Sequence, residues 1–136
     1  MTDTTAAVPV PSIEGTLLER MGIELVEVSA DHAVATMPVA GNTQPYGLLH
    51  GGASAVLAET LGSYAAQVHA GVGRAAVGIE LSCTHHRSAR SGVVTGRAEA
   101  VHLGRTLVTY QVVVEDADGR RICTARLTCM LIDAPA

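Results

Sequence analysis

The sequence contains no lysine, no tryptophan and no phenylalanine, and three tyrosines are its only aromatic residues. All nine basic residues are therefore arginines, and they stand against 13 acidic residues, which gives a formal charge of −4. A negative net charge disfavours non-specific binding to nucleic acid, so we expect no nucleic-acid partner. Because aromatic rings are so few, the core has to be built mainly from aliphatic side chains.

Long apolar runs and paired cysteines are missing as well. Residues 32–73 hold no Asp, Lys or Arg and a single Glu, but Gly, Asn, Gln and Pro interrupt them, so no apolar run of roughly 18 residues is available for a membrane span. The first twelve residues lack the basic and apolar parts of a secretory signal. The three cysteines are an odd number, which favours reduced thiols. We therefore expect a cytoplasmic protein without a membrane partner.

The length of 136 residues, with 48% hydrophobic and 16% charged residues, is typical of one compact domain. Composition predicts a disordered N-terminal segment over residues 1–12 and a single domain over residues 13–133. Ser12 is the predicted cap of a short helix that ends near Met21, and Gly22 is its stop signal.

Hydrophobic periodicity predicts one long helix and five to six strands. About twenty residues from Leu49 onward are compatible with a helix. The strands are predicted at residues 23–28, 33–39, 75–87, 92–102, 105–115 and 120–132. The first two should form a hairpin and the last three a meander. A single helix beside these strands has to lie across one face of an antiparallel sheet, which is an α+β fold.

Two buried faces follow from this assignment. On a helical wheel one apolar arc, expected to face the sheet, is formed by Leu49, Ala53, Val56, Leu57, Leu61, Tyr64 and Val68. On the strand after the helix, alternation places on one apolar face Val77, Ile79, Leu81, Cys83 and His85. The last strand is expected to carry Cys123 and Cys129 on its apolar face.

Glu59 is the only acidic residue on the predicted long helix, which has no Lys or Arg at i±3 or i±4 to neutralise it. The residues within about 40° of it on the wheel are small: Gly52, Ala55, Ser63 and Ala66. One interpretation is an ordinary exposed glutamate. The other is a carboxylate in a narrow cleft, approached by a ligand or a partner subunit and suited to act as base or nucleophile. The wheel alone leaves both open.

His50, Gly51 and Gly52 stand at the predicted N-terminus of this helix. Unpaired N–H groups and the positive end of the helix dipole stabilise developing negative charge there, and glycine allows a close approach. The motif alone is weak evidence, and the Gly-Lys-Ser/Thr ending of a phosphate-binding loop is missing. Stabilisation of an oxyanion is the chemistry that fits it best.

Four segments carry a family resemblance: QPYGLLHGGAS at residues 44–54, AETLGS at 58–63, GIELSCTHHR at 78–87 and HLGR at 102–105. With them, the chain resembles the hotdog-fold acyl-CoA thioesterases over residues 14–131. The similarity is to the branch that contains the enterobactin-pathway proofreading thioesterase, the 4-hydroxybenzoyl-CoA thioesterase of the Arthrobacter type and the thioesterases of phenylacetate degradation. The fold that the resemblance implies is one long central helix wrapped by an antiparallel sheet.

The resemblance implies that the chain hydrolyses an acyl-CoA or aryl-CoA thioester to the free acid and coenzyme A. Glu59 matches the catalytic carboxylate, which acts as nucleophile or general base. His50 and Gly51 match the pair that engages and polarises the thioester carbonyl. Gln44 matches a glutamine that positions the substrate or the attacking water, and Ser63 matches an accessory catalytic position.

The substrate-binding candidates are more widely spread along the chain. His85 matches an accessory position, and Arg87 and Arg90 are candidates for contacts to the phosphates of coenzyme A. Further candidates beside the catalytic residues are Gly52, Thr60 and Tyr46.

The resemblance also implies a homo-oligomer, namely a dimer of dimers with its sites at the subunit boundary. The thiol carrier is coenzyme A or an acyl or aryl carrier protein, and we expect neither a metal nor an organic cofactor. Two other functions stay open. One is a non-catalytic module that binds acyl-CoA or regulates; the other is a hotdog hydratase or dehydratase, for which a different His-containing loop is expected.

Overall fold

The computed structural model describes residues 11–135. Its elements in chain order are α1 (Leu17–Met21), β1 (Glu24–Val28), β2 (His32–Pro38), α2 (Gly51–Ala70), β3 (Arg74–His85), β4 (Val93–Leu103), β5 (Leu107–Glu115) and β6 (Arg121–Asp133). The predicted α+β fold is confirmed, with six strands. The expected disorder of the N-terminal segment falls mostly outside the described residues, since only its last two residues are described.

The six strands form one sheet in the order β1-β2-β4-β5-β6-β3. All neighbouring strands are antiparallel, so the predicted hairpin of β1 and β2 and the predicted meander of β4, β5 and β6 are both confirmed. α2 contacts all six strands. The chain leaves α2 and returns as β3 beside β6, and β1 and β3 are therefore the two edges of the sheet.

The start of α1 differs from the prediction. Thr16, not Ser12, is the N-cap residue, and it makes no side-chain capping bond. The Ser12 hydroxyl accepts the N–H of Glu14 at 3.2 Å, and the N–H of Thr16 bonds to the carbonyl of Ile13 at 3.0 Å. A turn therefore precedes the helix and delays its start. The end is as predicted, because Gly22 has a φ of 73° and closes α1 in the left-handed region.

The helix face that meets the sheet is only partly the predicted one. Ala53, Leu57, Leu61 and Val68 are buried, whereas Val56 and Tyr64 are only half-buried. The buried face of α2 extends instead over Ala58, Gly62, Ala65 and Ala66, on the side of the predicted arc away from Val56 and Tyr64. The reason is close packing, since a Cβ added at Gly62 would lie only 2.5 Å from the Leu127 side chain. Small residues let β6 approach α2 there.

β3 contains a bulge that overturns part of its predicted face. Gly78 pairs with Cys129 and Glu80 with Thr128, so Ile79 is the extra residue. Val77 and Ile79 do not share the buried face: they are 40% and 52% exposed. A bulge shifts the alternation by one residue, so positions before and after it exchange faces. The prediction for Cys123 and Cys129 is confirmed, because both are fully buried.

No helix within residues 11–135 is both long enough and apolar enough to cross a bilayer.

Candidate active site

His50 caps α2 with its own side chain. Its backbone is extended, with φ −68° and ψ 131°, and its Nδ1 accepts the N–H of Gly52 at 2.8 Å. A ring nitrogen that accepts a hydrogen bond carries no proton, so the neutral ring is protonated on Nε2. The exposed imidazole therefore offers an N–H donor at the helix N-terminus, where the first backbone N–H groups lack intrahelical partners.

The loop before α2 is held by Asn42, a residue that the sequence analysis missed. Its buried amide donates to the carbonyls of Met21 at 2.7 Å and Pro38 at 2.8 Å, and its backbone carbonyl accepts the N–H of His50 at 2.9 Å. Asn42 thus ties α1, β2 and the N-cap of α2 together. The only signal in the sequence is its place in a turn rich in Gly and Pro, which does not distinguish it from its neighbours.

Gln44 is oriented by the same loop. Its side-chain Oε1 accepts the N–H of Tyr46 at 2.6 Å, so its amide nitrogen is the group left to donate. Tyr46 itself is 87% exposed and does not line the cavity beside Gln44, which is not what we expected of a substrate-binding residue. A direct contact of the Gly52 N–H with substrate is also disfavoured, because this N–H already donates to His50 Nδ1.

A cavity of about 400 Å³ brings Gln44, Gly51 and His85 together. His85 comes from the end of β3 and lies over the first turn of α2: a Cβ on Gly51 would be 2.9 Å from its Nε2. Glycine at position 51 is therefore what allows the imidazole to approach the helix start. His50, the residue before Gly51, completes a group of N–H donors at this end of α2.

Glu59 lies elsewhere, in the middle of α2. It is exposed, and none of the ion pairs formed within residues 11–135 involves it. A groove of about 330 Å³ runs beside it, lined by Leu17, Leu18, Val56, Thr60, Ser63 and Tyr64. The Thr60 hydroxyl donates to the carbonyl of Val56 at 2.6 Å, so it serves the helix. The groove is mostly apolar, with one carboxylate on its wall.

The predicted catalytic residues thus form two groups in one chain. Gln44, His50, Gly51 and His85 are at the N-terminal end of α2, whereas Glu59 and Ser63 are further along the helix. Gly51 and Glu59 are eight residues apart, which corresponds to about 12 Å along a helix axis. A single thioester cannot contact both groups within this chain.

Arg87 and Arg90 line a second cavity, of about 430 Å³, between residues 87–92 and the turn from β5 to β6. This cavity adjoins the first one, since Arg87, Ser88 and Ala89 line both. None of the ion pairs in the described part of the chain involves Arg87 or Arg90, so their charges are not compensated by a carboxylate within 4.0 Å. Two such guanidinium groups in one polar cavity favour an anionic ligand.

The turn opposite these arginines is held by hydrogen bonds between its own residues. Arg120 Nε bonds to Asp116 Oδ2 at 3.0 Å, and Asp116 Oδ1 accepts the N–H groups of Asp118 at 3.0 Å and Arg120 at 2.9 Å. The hydrogen bond from the Arg120 backbone is the main reason why the pKa of Asp116 is lowered. The wall of the second cavity therefore carries a third arginine, but one whose charge is already paired.

The three cysteines are free and are not suited to act as nucleophiles. Burial raises the pKa of Cys123 to about 12, and burial also raises the pKa of Cys83 and of Cys129. At Cys129 burial is the largest cause of the shift, while the Ser63 side chain lowers the pKa and the charge of Glu59 raises it. Thiols with a raised pKa stay protonated near neutral pH and are poor nucleophiles. Within residues 11–135 there is no cluster of three His, Cys, Asp or Glu side chains that could hold a metal ion.

Sequence comparison identifies relatives over most of the chain. Residues 46–123 match the Thioesterase superfamily. The chain is 50% identical over 115 residues to the proofreading thioesterase EntH of Cronobacter turicensis, a match that covers 84% of each protein. It is 49% identical over 117 residues to EntH of Klebsiella pneumoniae, with 85% of each covered.

Solved structures are similar in fold. A thioesterase from Haemophilus influenzae superposes with a TM-score of 0.85 at 37% identity, covering 89% of this chain and 85% of that one. A mutant thioesterase from Pseudomonas aeruginosa superposes with a TM-score of 0.84 at 38% identity, covering 90% of this chain and 89% of that one. The helix and the six strands are therefore arranged as in known thioesterases.

Proposed function

Because the chain belongs to the thioesterase superfamily, it is a hotdog-fold thioester hydrolase, and we propose that Glu59 and the N-terminus of α2 carry out its reaction on acyl- or aryl-coenzyme A. The observation that carries this proposal is the pairing of features on one helix. α2 has N–H donors at its start and, in its middle, a carboxylate that is involved in no ion pair within the described residues. Donors to the carbonyl oxygen and a base or nucleophile are two kinds of group that together can catalyse the hydrolysis of a thioester.

The donors at the start of α2 polarise the thioester carbonyl. The N–H of Gly51 and the Nε2–H of His50 bind its oxygen and stabilise the negative charge that develops there. Each such donor contributes about 2.7 to 4 kcal/mol to the stabilisation of the transition state. The amide nitrogen of Gln44, which makes no hydrogen bond within residues 11–135, adds a donor that positions the substrate or the water, and its Oε1 is held by the N–H of Tyr46.

Glu59 supplies the electron pair. As a nucleophile, its carboxylate attacks the thioester carbon and forms an anhydride that water then hydrolyses. As a general base, it takes a proton from water, and the resulting hydroxide attacks the same carbon. In both cases the carbon–sulfur bond breaks, the thiolate leaves and takes up a proton, and the free acid is released. Both routes need the ionised carboxylate.

The complete site needs two copies of the chain. β3 is an edge strand of 12 residues, and an edge strand exposes unpaired N–H and C=O groups. Gly78 on this strand lies against Glu59, and His85 lies against Gly51. If two β3 strands pair antiparallel so that Gly78 lies opposite the partner's His85, the partner's Gly51 comes close to Glu59. Because the two chains are related by a two-fold axis, the same contacts occur twice and the dimer contains two such sites.

The family resemblance extends this dimer to a dimer of dimers. The small side chains beside Glu59 support a close approach of the second copy along α2. The three free thiols support residence in a reducing compartment, which for this protein is the cytoplasm.

Coenzyme A is the thiol carrier that the charges favour. The cavity lined by Arg87 and Arg90 adjoins the one that contains Gln44 and Gly51. A ligand with its thioester beside Gly51 can therefore extend its phosphates to these arginines. The phosphopantetheine of a carrier protein has a single phosphodiester, and it needs fewer positive charges than coenzyme A.

The test is the release of free thiol from acetyl-, hexanoyl-, decanoyl-, benzoyl-, hydroxybenzoyl- and phenylacetyl-CoA. Glu59→Ala is compared with wild type and with Glu99→Ala, which removes an exposed carboxylate from β4. We expect turnover by wild type and by Glu99→Ala, and a loss of roughly 10²- to 10⁴-fold in Glu59→Ala.

Two results would contradict the proposal. Full turnover by Glu59→Ala would remove the carboxylate from the mechanism. A folded wild type that binds acyl-CoA but hydrolyses none of the panel would favour the non-catalytic module, or a substrate on a carrier protein.

A further inference from the structure

Gly78 and Glu59 share one small space. A Cβ added at Gly78 would lie 2.7 Å from Oε2 of Glu59 and 3.7 Å from its Cδ. The carboxylate therefore occupies the space that any side chain at position 78 would fill. Glu59 takes part in no ion pair within residues 11–135, so no charged partner there fixes its carboxylate, and the contact with β3 restrains it on one side.

The bulge in β3 turns Gly78 toward the helix. Gly78 and His85 are seven residues apart, so a regular strand would place them on opposite faces of the sheet. The extra residue, Ile79, reverses the alternation between them. As a result, both positions face α2: Gly78 beside Glu59 and His85 beside Gly51. The same local irregularity therefore serves both groups of candidate catalytic residues.

We propose that Gly78, aimed by the bulge in β3, is a positioning residue that holds the Glu59 carboxylate at its working position by leaving space for it. This inference rests on the proposed catalytic role of Glu59. A methyl group at position 78 would push the carboxylate away from β3 and change its distance and angle to the thioester carbon. The reaction would slow, while the binding of the substrate through the arginines and the start of α2 would be unaffected.

The fold itself tolerates a methyl group at this position. Gly78 is not among the glycines with positive φ, so its backbone conformation suits alanine. The other close atom is Cδ1 of Leu127 at 3.5 Å, which is ordinary van der Waals contact, and Oε2 of Glu59 is the end of a flexible side chain. Where the backbone is compatible, Gly→Ala reduces the entropy of the unfolded chain and does not lower stability. Loss of activity and loss of stability are therefore separable.

The experiment compares Gly78→Ala with the control Val77→Ile. The control also enlarges a side chain, but Val77 is exposed on the outer face of β3. kcat, KM and the midpoint of thermal unfolding are measured with the best substrate of the panel. For Gly78→Ala we expect kcat to fall roughly 10- to 100-fold, with KM within about twofold and an unchanged or higher midpoint. Val77→Ile should keep the wild-type kcat.

A second comparison distinguishes positioning from a general structural effect. If Gly78 acts through Glu59, Gly78→Ala has no further effect on the residual activity of Glu59→Ala. Wild-type kcat in Gly78→Ala, an equal loss in the Glu59→Ala background, or a clearly lower unfolding midpoint would each overturn the inference. Full activity of Glu59→Ala would overturn the proposed catalytic role of Glu59, and with it the inference about Gly78. Loss of activity in Glu59→Ala with none in Gly78→Ala would overturn only the role of Gly78.

Discussion

The imidazole of His50 accepts the N–H of Gly52 through Nδ1 at 2.8 Å. This one bond has two consequences. It satisfies a free N–H at the start of α2, and it leaves the proton of the neutral ring on Nε2. The residue that caps the helix can therefore also donate to a carbonyl oxygen, so its capping role and its proposed catalytic role use different atoms of the same ring.

Substitution of His50 should separate these two roles. Asn is a good N-cap residue, so His50→Asn should keep the stability of wild type, whereas His50→Ala should lose about 0.5 to 2 kcal/mol of unfolding free energy. Both variants lack the Nε2–H donor, and both should lose roughly 10²- to 10³-fold in kcat. Urea unfolding and steady-state kinetics measure the two effects. Full activity in the Asn variant would show that the ring serves only as a cap.

The proposed site between two chains predicts complementation between two variants that should each be inactive. Glu59→Ala lacks the carboxylate, and the double variant Gln44→Ala/His50→Ala lacks two of the donors. In a mixed dimer, one of the two sites takes its carboxylate from the Gln44→Ala/His50→Ala chain and its donors from the Glu59→Ala chain. That site is therefore intact. Random pairing of equal amounts makes half of the dimers mixed, and we expect about a quarter of the wild-type activity.

Co-expression of the two variants with different affinity tags provides the mixed dimer, and free-thiol release measures its activity. The control is a mixture of the two purified proteins at a temperature at which subunits do not exchange, which should stay inactive. Mixed dimers with no activity would show that each chain uses its own Glu59 and its own His50.

The separation of the two groups could be predicted from the sequence, because it depends only on helix geometry. Gly51 and Glu59 are eight positions apart in an uninterrupted helix, and about 1.5 Å per residue makes them too distant for one carbonyl. The order of hairpin, helix and meander was also predictable, since alternation and turn residues are local signals. The chemistry of these residues is what the family resemblance implies, and it stays a prediction.

The bulge in β3 could not be predicted in this way. The segment around Gly78 alternates without interruption in the sequence, and simple alternation placed Val77 and Ile79 on the buried face. The extra residue at Ile79 is determined by pairing with β6, a strand about fifty positions further along the chain. The anchoring by Asn42 was missed for a similar reason, because its partners Met21 and Pro38 lie outside its own loop.

The arginines next to the first cavity should affect binding rather than chemistry. Arg87→Gln and Arg90→Gln each remove a positive charge from the second cavity, so KM for an acyl-CoA should rise roughly fivefold to tenfold with little change in kcat. The same acyl group on N-acetylcysteamine, which has no phosphates, should show no change. Arg97→Gln is the control, because Arg97 lies on β4 outside the second cavity and pairs with Glu115 at 3.5 Å. Equal effects on both substrates would contradict a role in binding phosphate.

The buried thiols predict how the protein reacts with an alkylating agent. Cys123 and Cys129 are fully buried, and burial raises the pKa of both, so neither should react with iodoacetamide at pH 8 in the folded state. Cys83 is only half-buried and should react slowly. In urea all three should react. Intact-mass measurement counts the added groups, and rapid modification of Cys123 in the folded protein would contradict its burial.

The same thiols predict a loss of stability in alkaline solution. The pKa of Cys123 is raised by burial from 9.0 to about 12, so between these values the unfolded chain loses a proton that the folded chain keeps. The unfolded state then binds fewer protons, and the free energy of unfolding falls as the pH rises above about 9. Below pH 9 this contribution is constant. Urea unfolding at pH 7.5, 9 and 10.5 tests the prediction, and Cys123→Ala should show a smaller decrease between the last two values because it has one thiol fewer to ionise.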